Sequence, residues 1–147
     1  MATEFDLMLF EQHLAETLEL PAAARWSIER DKSVPLGLFA TLHPRTAPQE
    51  FYKARIRWKD YCTPFSLKFI NMETGSDTDA CAWPNFEGSR PQAFLACTTF
   101  TEEGHGLHPE WEQSAFNRYK TPEQPQIFAL LTLQHLLDNT YQGRGHP

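Results

Sequence analysis

The sequence predicts an α+β domain in which an N-terminal helix, an antiparallel β-meander and a C-terminal helix share one core. Three observations carry that expectation. Leu7, Phe10, Leu14 and Leu18 recur at helical spacing, so one face of the first segment is apolar. Tyr52, Ala54, Ile56 and Trp58 alternate with Lys53, Arg55 and Arg57, which is the pattern of a half-buried antiparallel strand with one wet, basic face. Ile127, Leu130, Leu131, Gln134 and Leu137 return to the helical period. Runs of strands flanked by helices, without a crossover helix between strands, belong to the α+β class.

The first helix spans about Glu4 to Leu20, capped by Thr3 with Asp6 in a capping-box relation and stopped by Pro21. Strands follow over Trp26–Arg30, Leu36–His43, Phe51–Lys59 and around Leu67, Phe69 and Ile70, separated by turns at His43-Pro44 to Pro48 and at Tyr61 to Pro64. Glu73 to Gln92 reads as loop, because Gly75-Ser76-Asp77, Trp83-Pro84-Asn85 and Gly88-Ser89-Arg90-Pro91 are turn chemistry. Trp83 is expected to be exposed there. Ala93 to Cys97 is a short apolar run, either a buried strand end or a pocket wall. Pro109 can open a short helix carrying Trp111, Ala115 and Phe116, and the last helix runs from about Pro125 to Tyr141 with Gly143 placed to end it. Residues 142–147 are expected to fray, so 1–147 reads as one domain.

Composition bounds the function. The 147 residues carry 13 Lys and Arg against 19 Asp and Glu, a net charge of −6, with 41% apolar and 13% aromatic residues. A chain of this length buries roughly 68–70% of its unfolded surface. The acidic balance argues against a nucleic-acid partner, which calls for a basic face. No apolar run approaches the roughly 18–20 residues that span a bilayer, so no membrane is expected. Met1-Ala2-Thr3-Glu4 lacks a basic leader, and Cys62, Cys81 and Cys97 are odd in number and irregularly spaced. The expectation is a soluble cytoplasmic protein with reduced thiols.

Reactive side chains concentrate between Cys97 and His108, where Cys97, Glu102, Glu103, His105 and His108 stand on a loop softened by Gly104 and Gly106. Cys97, one of the two glutamates and both histidines would satisfy a four-coordinate zinc ion of mixed N, O and S ligands. Cys97 can instead be a nucleophile whose thiol is tuned by His105 or His108. The plainest alternative is a packed thiol followed by a solvated loop with two incidental histidines. For Cys62 and Cys81 packing is the expectation. His13 and His135, on helices, read as surface or satisfied core residues, and the Lys53–Lys59 basic row as the solvated side of a sheet.

The order of these features resembles the ubiquitin-conjugating enzymes. An N-terminal helix and meander are followed by Tyr61 with Pro64-Phe65, the Trp83-Pro84-Asn85 turn, a cysteine, and a helix from Thr121-Pro122 through Leu137-Asp138-Asn139. The family has His-Pro-Asn where Trp83-Pro84-Asn85 stands here. By that resemblance Cys97 takes the place of the thioester-forming cysteine and Asn85 that of the asparagine that stabilises the oxyanion. The insertion after Cys97 resembles a bacterial group with a Cys-Glu-His-His predicted metal-binding signature, found beside ubiquitin-like, activating-enzyme-like and JAB-type peptidase components. The resemblance implies two competing functions. In the first, Cys97 carries a ubiquitin-like modifier received from an activating-enzyme-like protein. In the second, an inert scaffold binds zinc through Cys97, Glu102 or Glu103, His105 and His108, and docks pathway components. One thiolate does not serve both, because structural zinc sites are closed.

Overall fold

A computed structural model describes residues 2–147. The first helix, α1 (Glu4–Glu19), begins as the sequence dictates: Thr3 Oγ1 accepts the Asp6 N–H at 3.0 Å, and the Asp6 carboxylate accepts the Thr3 N–H at 3.2 Å. Pro21 then opens a 3₁₀ turn over Pro21–Arg25, because its ring cannot continue an α-helix. Strands β1 (Ser27–Arg30), β2 (Gly37–Leu42), β3 (Tyr52–Arg57) and β4 (Ser66–Ile70) form a four-stranded antiparallel meander in chain order. The register pairs Ala40 with Ala54 and Ala54 with Phe69.

The period-two pattern decides which face is covered. Leu38, Ala40, Leu42, Tyr52, Ala54, Ile56, Leu67 and Phe69 are buried. Successive strand side chains alternate faces, so Lys53, Arg55 and Arg57 lie on the opposite side. Two charges of that basic row are paired within the chain, and the third lies over a ring. Arg55 pairs with Asp77 at 2.9 Å, Arg57 with Asp31 at 2.8 Å, and Lys53 Nζ stands 4.9 Å over the Phe39 ring.

Helix α3 (Pro125–Thr140) packs on the covered face beside α1, and buried polar side chains fix its position. Gln126 Nε2 donates to Phe10 O at 2.8 Å, Trp26 Nε1 donates to Gln134 Oε1 at 2.9 Å, and Arg25 grips Asp138 with both guanidinium nitrogens at 2.8 and 3.0 Å. A run of aromatic contacts, edge-on at Phe10–Trp58, Trp58–Phe65 and Phe100–Phe128 and tilted at Phe65–Phe100, carries the core toward the segment after β4. Such pairs add about 0.5–1.5 kcal/mol each beyond area burial.

The long segment expected to be loop is locally structured. It contains a 3₁₀ turn at Ala80–Ala82 and a small hairpin, β5 (Ser89–Arg90) with β6 (Leu95–Ala96). Trp83 is not exposed: it is fully buried, 5.2 Å from Phe69, because an indole in a proline-bounded turn covers the end of the sheet. Cys62 is exposed rather than packed. Leu131, read as part of the core stripe, is 44% exposed, whereas Leu130, Leu133 and Leu137 are buried. Among the described residues no helix is long and apolar enough to cross a membrane.

Candidate functional site

The Cys97–His108 segment is a braced turn and a short helix, not a free loop. Cys97 follows β6, and its N–H donates to Gly88 O at 2.8 Å. Gly88 has φ +92°, in the region that disfavours side chains. A Cβ there would lie 2.8 Å from Thr98 Cγ2 and 3.0 Å from Cys97 O. The half-buried Cys97 thiol is therefore held by a backbone contact that only glycine permits.

Thr101 organises the stretch between Cys97 and α2 (Glu102–Leu107). It is fully buried, its hydroxyl donates to Ala96 O at 2.7 Å, and it accepts the Gly104 N–H at 3.1 Å as the N-cap of α2. Two glycines argued against a helix here, yet Gly104 is what allows it. A Cβ at position 104 would stand 2.2 Å from Thr98 O and 2.7 Å from Thr98 N.

The acidic first turn of α2 is tied to the sheet. Glu103 accepts the Ser66 hydroxyl at 2.6 Å and the Leu67 N–H at 3.0 Å, which satisfies the opening of β4. Glu102 N–H donates to Phe65 O at 2.8 Å, and its carboxylate meets exposed Lys59 at 2.7 Å. His105 Nε2 donates to Thr99 O at 2.7 Å, so that nitrogen carries the proton, and the ring stands edge-on to Trp111 and Tyr119. His108 stacks on Trp111 at 4.3 Å and pairs through Nδ1 with Glu110 at 3.1 Å. The short helix expected from Pro109 is a 3₁₀ turn, Pro109–Gln113, that ends before Ala115 and Phe116 and leaves Phe116 96% exposed.

These partners decide how the expected zinc set stands. Glu103 faces β4, His105 clamps a backbone carbonyl, and His108 faces Trp111 and Glu110. Among the described residues no group of three or more His, Cys, Asp or Glu side chains is gathered as a metal site. In this arrangement Cys97, Glu102, Glu103, His105 and His108 do not fit a four-coordinate ion, whose ligands stand roughly 2.0–2.3 Å from it. Within the cluster Glu103 joins α2 to the start of β4, and His105 joins it to the turn that follows β6.

Asn85 is tied to the C-terminal segment rather than to the Cys97–His108 stretch. Its N–H donates to Gly143 O at 2.8 Å, its carbonyl accepts the Gln142 N–H at 2.9 Å, and its side-chain amide reaches Arg144 O at 3.4 Å. Residues 142–147, expected to fray, are thus laid along the Trp83–Asn85 turn, with Gly145 buried. Sequence reasoning had no means to see that contact. Arg144 and Gly145 are ordinary tail residues until the turn folds beside them.

A cleft of about 360 Å³ lies between the Lys59–Pro64 turn, α2 and the following turns, and is lined by Cys62, Pro64, Glu102, His105, Arg118 and Tyr119. The Tyr119 hydroxyl is buried without a hydrogen-bond partner among the described residues, and burial pushes its pKa up to about 12. No protein-family model, curated protein or solved structure matches the chain.

Proposed function

We propose that the protein is a conjugating-type carrier that takes a ubiquitin-like modifier as a thioester on Cys97 and passes it to an amine. One observation carries the reading. The helix and four-stranded meander are followed, in order, by the Trp83-Pro84-Asn85 turn, a half-buried thiol on a braced backbone, and a final helix. The withdrawal of Glu103, His105 and His108 into other contacts supports it further, because it leaves Cys97 outside any ligand set.

Loading is transthiolation. The Cys97 thiolate attacks the thioester carbonyl presented by an activating-enzyme-like protein. A new C–S bond forms to Cys97, and the bond to the donor cysteine breaks with release of its thiolate. An amine then attacks the same carbonyl, expels the Cys97 thiolate and loses a proton to solvent. The thiolate, not the thiol, is the attacking species. Asn85 is assigned to the oxyanion that develops in both steps. A JAB-type peptidase fits the pathway as the enzyme that trims the modifier or removes it.

The test is a reaction containing ATP, a candidate ubiquitin-like modifier and its activating enzyme, read on non-reducing gels. A reductant-sensitive adduct is expected with the wild type and with Cys62→Ser and Cys81→Ser, and none with Cys97→Ala. An adduct that persists in Cys97→Ala and maps to Cys62 or Cys81 refutes the assignment.

A further inference from the structure

Within residues 142–147, Arg144 and Gly145 occupy a groove shaped for those two positions. The Arg144 guanidinium donates through Nη1 to Cys81 O at 2.8 Å and through Nη2 to Glu50 Oε2 at 2.8 Å and Phe51 O at 3.3 Å. Its carbon stands 4.3 Å over the Tyr52 ring. One carboxylate, two carbonyls and an aromatic face match the planar fork of arginine, and an ammonium does not reproduce that geometry. Gly145 comes next and is buried. A Cβ on it would stand 2.3 Å from Ala80 O and 2.6 Å from Pro91 Cβ, so this slot excludes every other residue.

The rest of the contact is generic backbone. Pro84 and Arg144 form an isolated antiparallel bridge, and the Gly145 N–H donates to Trp83 O at 2.7 Å. Gln142, His146 and Pro147 are exposed, with His146 held only through its carbonyl by Gln92 Nε2 at 2.8 Å. A cleft of about 330 Å³, lined by Tyr52, Met72, Asp79 and Cys81, opens beside the guanidinium. Gly143, at φ +98° with its carbonyl accepting the Asn85 N–H at 2.8 Å, turns the chain from α3 toward the bound dipeptide.

We propose that this groove is a binding site for an extended Arg-Gly segment of a partner polypeptide, in which the chain's own Arg144-Gly145 is the resident ligand. The groups that meet the guanidinium and close the glycine slot belong to Glu50–Tyr52, Ala80–Trp83 and Pro91, while Pro84, Asn85 and Gln92 hold the segment's backbone. All lie outside residues 142–147, so the receptor stays intact when the resident segment is displaced. A tethered ligand acts at an effective concentration on the order of millimolar, so a partner must outcompete it. Displacement also frees the Asn85 amide, which matters for catalysis only if the thioester reading holds. The binding site itself stands without that reading.

The test is fluorescence anisotropy of a labelled Tyr-Gln-Gly-Arg-Gly-His-Pro peptide titrated with the full chain. Arg144→Ala disables the resident ligand and is expected to bind the peptide at least tenfold more tightly than wild type. Peptides with Lys for Arg or Ala for Gly are expected to lose at least tenfold. Absence of saturable binding to an Arg144→Ala chain that still melts cooperatively overturns the proposal, as does equal binding of the three peptides. Should Arg144→Ala fail to fold, amide shifts in the wild-type chain at several millimolar peptide decide. Shifts centred on Tyr52, Trp83 and Asn85 support the site, and their absence overturns it. Wild-type dimers that Arg144→Ala abolishes support it too, with a second copy as the donor.

Discussion

Replacing Thr101 by Ala removes one hydroxyl from the point where β6, α2 and the Cys97 turn meet. That hydroxyl donates to Ala96 O at 2.7 Å and accepts the Gly104 N–H at 3.1 Å, and the side chain is fully buried. Loss of the cap costs about 1 kcal/mol. The stranded Ala96 carbonyl adds about 1–2 kcal/mol, and the missing methyl roughly 0.8 kcal/mol. The expected destabilisation is about 3–4 kcal/mol, which lowers Tm on the order of 10 °C for a chain of this size. Thr101→Ser, which keeps the hydroxyl, should lose only the methyl contribution. Calorimetric melting measures the first effect. Iodoacetamide alkylation mapped by mass spectrometry measures the second: Cys97 should react several-fold faster in Thr101→Ala, while exposed Cys62 keeps its rate. A Thr101→Ala protein within about 0.5 kcal/mol of wild type, or an unchanged Cys97 rate, would refute the view that this hydroxyl braces the thiol.

Three further outcomes are expected from the same geometry. Burial alone would raise the Asp31 pKa, but hydrogen bonds from Ser33 and Arg57 outweigh it and hold the group below its ordinary 3.8. Its contribution is therefore present above about pH 3.8 and lost as pH falls through the lowered value. Asp31→Asn should cost about 1–3 kcal/mol at pH 7 and flatten the acid limb of urea midpoints measured between pH 2 and 5. An unchanged limb would count against it. His13 is buried with Nδ1 2.7 Å from the Tyr61 hydroxyl, and burial lowers its pKa below 6.5 despite nearby Glu16. Protonation is then harder in the folded state, so stability should fall as pH drops below about 6.5 and keep falling to the depressed value. His13→Gln should remove that slope from urea midpoints between pH 5 and 8, and a slope that persists would assign it elsewhere. Dialysis against EDTA should leave Tm unchanged, because Glu103, His105 and His108 are committed to Ser66, Thr99 and Trp111. One zinc per chain, lost together with stability in His108→Ala, would show that these side chains regroup around a metal.

How much was legible varied with the range of the signal. Local signals read through. The Thr3/Asp6 cap, Pro21, the alternation over Tyr52–Arg57 and the spacing around Leu130 and Leu137 each act within a few residues, and each appears at its expected place. The Glu102–Leu107 helix was missed because glycines at 104 and 106 lower helix propensity. The signal that could have found it was Thr101 followed by two glutamates, a capped acidic first turn. Trp83 was misplaced for a different reason: a turn sequence reports backbone shape and says nothing about what lies beneath it.

The sequence alone determined the α+β class, the meander with its covered and basic faces, and the identity of the reactive cluster. Those rest on period, capping and turn chemistry, which are properties of neighbouring residues. Only the tertiary structure decided which groups those side chains meet. Glu103 closes the start of β4, His105 holds Thr99 O, and Arg144-Gly145 fills a groove made by residues more than fifty positions earlier. A carboxylate or an imidazole is equally suited to a metal, a proton or a backbone group. Which one it meets depends on chain segments distant in sequence, and folding alone brings those together.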